Sequence, residues 1–346
     1  MADSKNETVQ VTEETDNTAK KELPVDEAES SDIDEEANRK KKCKKAQKGS
    51  KSNKASRKKH WGDRKDGYRI RSINVMNKFM PYVMPMRCDA CNTFADELDI
   101  TRAENFIRNQ VKNGNVNFSI LHVLIAAYIR AVAKYPAINR FVSGQKIYAR
   151  NDLQVVMTIK KKMSLSSPDT CIKVWFEPSD TILDIYNKFN ATVEKNKQSE
   201  DSESSFDKLN KVLCYIPGIL LRWTVKLLSA MDYWGLLPKK LTDLSPFHGS
   251  MIITSMGSLG IKPIYHHLYN FGNLPVFFSY GIKRTIHIKE PDGNRITKKF
   301  IDLKVVTDER ICDGYYYASA FKYMKKLVEN PELLLDPPTE IIPDID

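Results

Sequence analysis

From Asn92 to Leu98 apolar and polar residues alternate as in a half-buried strand, and Asp99-Ile100-Thr101 then opens a stretch with helical spacing. Thr101 and Glu104 have capping-box spacing and Gly114 marks an end, which predicts a helix between them. Ser119 to Tyr135 is apolar nearly all round, from Ile120 to Val132, and Pro136 stops it. A helix of that kind must be buried. β-branched residues dominate Lys146 to Lys160 and Cys171 to Glu177, which read as strands. Thr181 and Asp184 start an amphipathic helix with Ile182, Ile185, Phe189 and Val193 on one side, and an acidic, Ser-rich break at 199–205 reads as a surface loop. Strands return at Ser250 to Thr254, Pro275 to Lys283, Thr285 to Lys289 and Arg295 to Thr307, with Asp292-Gly293 as the turn between the last two. A final helix follows Gly314. Strand runs interrupted by long helices predict an α+β sandwich, a mixed β-sheet covered by helices, rather than a regular βαβ repeat.

One further segment, Val212 to Leu237, is apolar enough to stand apart. A helix from Ile219 to Asp232 would put Ile219, Leu220, Trp223, Leu227 and Ala230 along one side and Arg222 and Lys226 along another. Packing over the core is the expectation. The alternatives are a lid over a greasy channel or a membrane-surface helix with Trp223 and Trp234 as interface anchors.

Charge changes the picture at the N-terminus. Residues 1 to 40 carry a formal charge of about −8 and residues 41 to 60 about +10. With almost no aromatic residues, this stretch cannot bury enough apolar surface to offset its ordering entropy, so 1–66 is expected to be a disordered acidic-then-basic tail. The folded part is expected over 67–335, as one domain, with 336–346 as a C-terminal tail. The whole chain of 346 residues carries a net charge of +10. Its basic run from Arg39 and Arg57-Lys58-Lys59 could hold nucleic acid, an anionic membrane or the acidic part of the tail, beside the simpler reading of a solubilising segment. No stretch reaches the ~20 apolar residues of a spanning helix and no signal-peptide core is evident, so a cytoplasmic protein is expected, possibly membrane-peripheral. The six cysteines, Cys43, Cys88, Cys91, Cys171, Cys214 and Cys312, match neither a disulfide framework nor a zinc spacing. No metal site is expected.

The chemistry-bearing run is Thr307-Asp308-Glu309-Arg310-Ile311-Cys312-Asp313-Gly314. It resembles the Asp-His-Arg-x-x-Asp-Gly signature of 2-oxoacid dehydrogenase acyltransferase catalytic domains and the His-His-x-x-x-Asp-Gly of chloramphenicol acetyltransferases, with Glu309 where the histidine stands. Three other segments resemble the same family in the same order. They are Glu97-Leu98-Asp99-Ile100-Thr101, the helix ending in Tyr135-Pro136-Ala137-Ile138-Asn139, and Thr254-Ser255-Met256-Gly257-Ser258-Leu259-Gly260. Together they span roughly residues 68 to 335.

The resemblance implies a two-layer chloramphenicol-acetyltransferase-like sandwich, assembled as a homotrimer with active sites between subunits and coenzyme A thioester as co-substrate. It implies a base at Glu309, an oxyanion-binding hydroxyl at Thr254 with Ser255 one residue away, and coenzyme A contacts at Ser255, Gly257 and Ser258. Asp313 would organise the loop by pairing with basic groups, Arg310 would be structural, and Gly314 would allow a tight turn. A glutamate is a weaker base than histidine at neutral pH unless burial raises its pKa. The alternatives are an ion pair of Glu309 with a neighbour such as Arg310 or a lysine in a catalytically silent trimer that binds or assembles, and a displaced histidine at His266 or His267. His60, His122, His248 and His287 show no partner in the sequence. No lipoyl-attachment block is present in residues 1 to 75, so a free acceptor is expected, small or lipid-like.

Overall fold

Alternating burial along the strands divides the core in two. The computed structural model describes residues 60–160, 169–198, 215–289 and 295–345. The expected tail up to residue 59, Cys43, Cys214, the 199–205 break and the Asp292-Gly293 turn lie outside the described residues. In chain order the elements are β1 (Gly67–Arg69), α1 (Val75–Val83), β2 (Cys91–Asp99), α2 (Thr101–Lys112), α3 (Ile120–Lys134), β3 (Phe141–Ser143), β4 (Lys146–Arg150), β5 (Leu153–Lys160) and β6 (Asp169–Phe176). They continue as α4 (Ile182–Gln198), α5 (Gly218–Tyr233), α6 (Lys239–Leu244), β7 (Met251–Ser255), β8 (Val276–Lys289), β9 (Arg295–Asp308) and α7 (Gly314–Glu329). Six strands form a mixed sheet in the order β2-β9-β8-β7-β5-β6, and β1-β4-β3 form a small antiparallel sheet. Only the β5/β7 and β7/β8 pairs are parallel.

Val155, Ile253, Phe278 and Val305 pack with the helices α2, α3, α4 and α7 in the main core. Their neighbours in sequence, Val156, Ile252, Phe277 and Val306, point the other way and are covered by Leu268 and Leu274 of the 261–275 loop. The fold is therefore α+β, with a mixed sheet, helices on one side and a long loop on the other. Helix α3 is buried at every position from Ile120 to Ala133, as its unbroken apolar run requires.

Several local expectations are corrected. Glu104 does not complete a capping box; its carboxylate meets Lys283 and Lys299, and Asp99 instead accepts from Thr101 N at 2.9 Å and from its Oγ1 at 2.6 Å. The two strands expected at 275–289 are one strand with an irregularity between Tyr280 and Lys283. Beyond it, β8 and β9 alone, among the described residues, run on as a two-stranded arm from Thr285 to Lys289 and Arg295 to Lys299, past the last pairings of β7 at Ser255 and of β2 at Asp99. Ahead of the boundary expected at residue 66, Arg64 is already buried in the fold. At the other end, Asp344 accepts from Arg140 Nε at 2.8 Å and Ile342 N donates to Ala133 O, which ties the expected C-terminal tail to the domain. Helix α5 does not pack over the core. Only Leu221, Thr224, Leu228 and Met231 are half-buried, and Asp232 is fully so. Helix α1, with no counterpart in the sequence pattern, likewise exposes Val75, Met76, Phe79, Tyr82 and Val83.

His122 finds a structural role at the start of α3. Its Nδ1 accepts from Ser119 N at 3.1 Å, and Phe118, Tyr186 and Phe189 surround the ring. Burial lowers its pKa to about 4. The folded state thus resists protonation more than the unfolded chain, so this contribution is complete above pH ~6.5 and is lost as pH falls toward about 4. Urea unfolding is expected to show an acid-induced loss of up to about 3 kcal/mol from this residue. A loss between pH 7 and pH 4 that is unchanged in His122→Gln would remove His122 as its source.

Candidate active site

Asp308 is the hub of the acidic run. It closes β9, is fully buried, and its carboxylate accepts from Arg310 Nε at 2.8 Å and Arg310 Nη2 at 2.7 Å. Arg87, from the turn before β2, places its Nε 3.4 Å from the same carboxylate. Each guanidinium also holds distant backbone, with Arg310 Nη1 donating to Met84 O and Arg87 Nη1 to Tyr269 O and Nη2 to Val142 O. Burial pulls Arg87 below its ordinary pKa, against the attraction of Asp308. One carboxylate thus pins four chain segments together. Asp308 belonged to the matched run, but nothing in it marks Asp308 as the hub, and Arg87 carries no local signal.

Glu309 is exposed on this rigid base. Its N–H donates to Ala90 O at 3.0 Å, but its carboxylate has no hydrogen bond or ion pair among the described residues. The ion pair with Arg310 expected of a silent protein is absent, because Asp308 takes that guanidinium. Among the described residues Asp313 forms no ion pair with a basic group either. It is the N-cap of α7, accepting from Tyr316 N at 2.8 Å. Gly314 is the first residue of that helix, its φ is not positive, and a Cβ there would meet open space, so no tight turn depends on it. Arg310 is buried in its pairing with Asp308. Cys312 is buried, which pushes its thiol pKa up.

The hydroxyl-bearing block lies elsewhere on the sheet. Thr254 shares a row with Ser279 and Lys304, and Ser255 ends β7 opposite Tyr280. Gly257 is required here, since a Cβ would come 2.6 Å from Gly281 O, so the turn after β7 sits directly on the β8 backbone. Ser258 is exposed and its Oγ donates to Ser255 O at 2.8 Å. Asp308 lies four residues along β9 from Lys304 and two strands over from Thr254, a separation of roughly 16 Å by strand geometry. Glu309 and Thr254 are therefore well apart on the sheet in one chain, Thr254 in a middle row and Glu309 just past its end. His266 and His267 occupy the 261–275 loop. His266 stacks flat on Phe277 at 4.2 Å between centroids, and His267 is exposed beside Tyr269. The same loop contacts the Arg87–Cys91 turn, where Asn270 Oδ1 accepts from Cys88 N, so the histidines are nearer the Glu309 end than Thr254 is.

A second buried polar cluster was not foreseen from the sequence. Asp232, the last buried residue of α5, accepts from Arg64 Nη2 at 2.9 Å, and His248 Nε2 stands 3.4 Å away. His248 Nδ1 and Ser245 Oγ are 2.9 Å apart, Arg64 Nε donates to Asp66 at 2.8 Å, and Asn273 links Asp66 to Arg150. Burial alone would raise the Asp232 carboxyl, but His248 and Arg64 bring it to about 2, while burial lowers His248. Lys173 Nζ donates to Thr242 O and Ser245 O, and burial lowers its pKa to about 7. A recess of about 210 Å³ separates this cluster from the Asp308 hub, with Arg87, Ser143, Asp232, Asn270 and Arg310 in its wall. Ser245, His248 and Asp232 line up as hydroxyl, imidazole and carboxylate, yet all three are buried.

No protein-family model matches the chain, and no curated protein matches it. Among solved structures, it is similar to a dihydrolipoamide acetyltransferase of Azotobacter vinelandii at 13% identity and a TM-score of 0.49, over 82% of this chain and 96% of that one. A probable dihydrolipoamide acetyltransferase from Listeria monocytogenes 4b F2365 is similar at 15% identity and a TM-score of 0.45, over 75% and 93%. A chloramphenicol acetyltransferase is similar at 10% identity and a TM-score of 0.43, over 74% and 96%. These neighbours bear the names of the two families whose motifs the sequence resembles.

Proposed function

We propose that the chain is a coenzyme A-dependent acyltransferase whose reaction centre is completed by a second copy, in a homotrimer. The observation that carries this reading is the separation, on one sheet, of an exposed carboxylate with no ion pair among the described residues, Glu309, from an accessible hydroxyl, Thr254, by more than a shared centre within one chain allows. A centre that uses both needs two chains. Glu309 rests on a loop held by the buried Asp308–Arg310 pair and by Arg87, which suits a group that must be presented to a neighbour at fixed geometry. Contact with a second subunit would also supply the burial that a carboxylate base requires. The exposed apolar residues of α1 offer surface for such an assembly.

In this reaction Glu309 takes the proton of an acceptor hydroxyl or thiol as the acceptor attacks the thioester carbonyl. Thr254 donates a hydrogen bond to the oxyanion, with Ser255 the neighbouring hydroxyl. The carbon–sulfur bond then breaks and the coenzyme A thiolate recovers the proton from Glu309. Ser255, Gly257 and Ser258 would line the coenzyme side, and Lys262, exposed just beyond them, and Lys304 on the Thr254 row supply cations for its phosphates. The acceptor is proposed to be small or lipid-like and free in solution.

The second reading is a trimer that binds or assembles without catalysis. It is favoured by the same exposure of Glu309, since among the described residues no hydrogen bond or ion pair orients the carboxylate. Thiol release from acetyl-, butyryl- and palmitoyl-coenzyme A, with amine, hydroxyl and thiol acceptors and with light scattering alongside, separates the two. Acceptor-dependent release by a trimer is the expected result. A trimer with no release from any donor would support the silent reading, and a monomer that turns over would overturn the shared centre.

A further inference from the structure

We propose that α5 and the turn after it form a membrane-surface element that docks on an anionic lipid bilayer. This goes beyond acyl transfer and does not depend on it. The helix presents Ile219, Leu220, Trp223, Leu227 and Ala230 on one outward arc at helical spacing, and Trp234 and Leu236 extend the apolar surface past its end. Exposure is extensive, 77% for Ile219, 64% for Trp223 and 71% for Trp234. Soluble surfaces do not keep apolar residues of this size together without a partner.

Charge selects the partner. Arg222 and Lys226 occupy the arc beside the apolar one, and Lys226 Nζ sits 5.1 Å from the Trp223 ring centroid. Between Tyr215 and Lys240 the one acidic residue is Asp232, which is buried and bound to Arg64. An apolar stripe flanked by cations, with no exposed carboxylate, complements a surface that is greasy beneath and negative above. Tryptophan belongs at that boundary because its ring is apolar and its N–H polar. A second copy of this chain is a poorer fit. Two such faces in contact would place Arg222 and Lys226 of both against one another with no acid to meet them. The sixteen residues of α5 are too few to span a bilayer, and no described helix is long and apolar enough to do so, so the helix lies along the surface.

The element is fixed at its root. Asp232 is held by Arg64 and Tyr233 Oη donates to Gln145 at 2.8 Å, while Ile219, Leu220 and Trp223 in the first half of the helix are exposed. Docking therefore needs no rearrangement of the core.

The test is sedimentation of the full chain with phosphatidylcholine vesicles and with vesicles that also contain phosphatidylglycerol, with tryptophan emission as a second readout. Wild-type protein should sediment with the anionic vesicles, with a blue-shifted emission, and salt should weaken it. Leu220→Gln, Trp223→Gln and Leu227→Gln combined should abolish sedimentation with unchanged circular dichroism. Arg222→Gln with Lys226→Gln should weaken binding to the anionic vesicles by about 30-fold, at about 1 kcal/mol per cation. No sedimentation with either vesicle would overturn the proposal, as would light scattering in which the triple variant breaks a wild-type oligomer. The acyl-transfer reading is untouched by either failure, because thiol release is measured without lipid.

Discussion

Asp308→Ala is expected to lower the stability of the protein by about 3–5 kcal/mol, because truncation leaves two buried guanidinium groups without their counter-charge. Against a typical total of about 5–15 kcal/mol, that is a large fraction of what holds a domain folded. The cost is not that of an ordinary ion pair. Arg310 also carries the backbone of Met84 and Pro85, and Arg87 that of Val142, Tyr269 and Asn270, so loss of the carboxylate loosens segments far apart in sequence. Asp308→Asn keeps shape and acceptor but not charge, and should fall between. Asp313→Ala, a few residues along, removes only a helix cap and should cost about 1 kcal/mol. Urea unfolding of the three variants checks the ranking. If Asp308→Ala were no worse than Asp313→Ala, the hub would be ornamental.

Glu309→Gln is expected to reduce acyl transfer by ~10²-fold or more while leaving unfolding unchanged, since the side chain is exposed and makes no hydrogen bond or ion pair among the described residues. Thr254→Val should bring a comparable loss by removing the oxyanion donor. The shared centre makes a sharper demand. Mixed in equal amounts and reassembled, the two inactive variants should regain about a quarter of wild-type turnover, because one interface in four then pairs an intact Thr254 with an intact Glu309 across the symmetric trimer. No recovery from mixed trimers would place both residues in one centre of one chain, or neither in any. Damage from His267→Ala or His266→Ala, with Glu309→Gln silent, would shift the base to the 261–275 loop.

What the sequence made legible was periodic or contiguous. Helix α3 could be read because twelve of its fifteen residues are apolar, and the sheet because its strands are β-branched and alternate. The acidic run was visible as a motif. Its wiring was not, since Arg87 and Asp308 are far apart in the chain and no local pattern announces their pairing. The same holds for Arg64 and Asp232, separated by 168 positions. Asp313 was expected to meet a base and instead caps α7, a role that any helix start offers to an aspartate. Helix α1 escaped because Pro81 and an irregular mix of polar and apolar residues hide its period. Helix α5 was anticipated as a helix, but its inward face turned out to be the narrower one, and periodicity alone does not say which side finds a partner.

The arm made by β8 and β9 beyond Arg284 has a thermodynamic consequence. Its residues from Thr285 outward bury little, and a two-stranded ribbon with no third strand among the described residues is only marginally stable in water. Its amides should therefore exchange through small, frequent openings that the six-stranded core does not share. Those openings stop at Gly281, where a backbone too crowded for any side chain lies against Gly257 and Pro263. Thr254 and Ser255 stand on the quiet side of that junction, so the hydroxyls keep their positions while the strand beside them breathes.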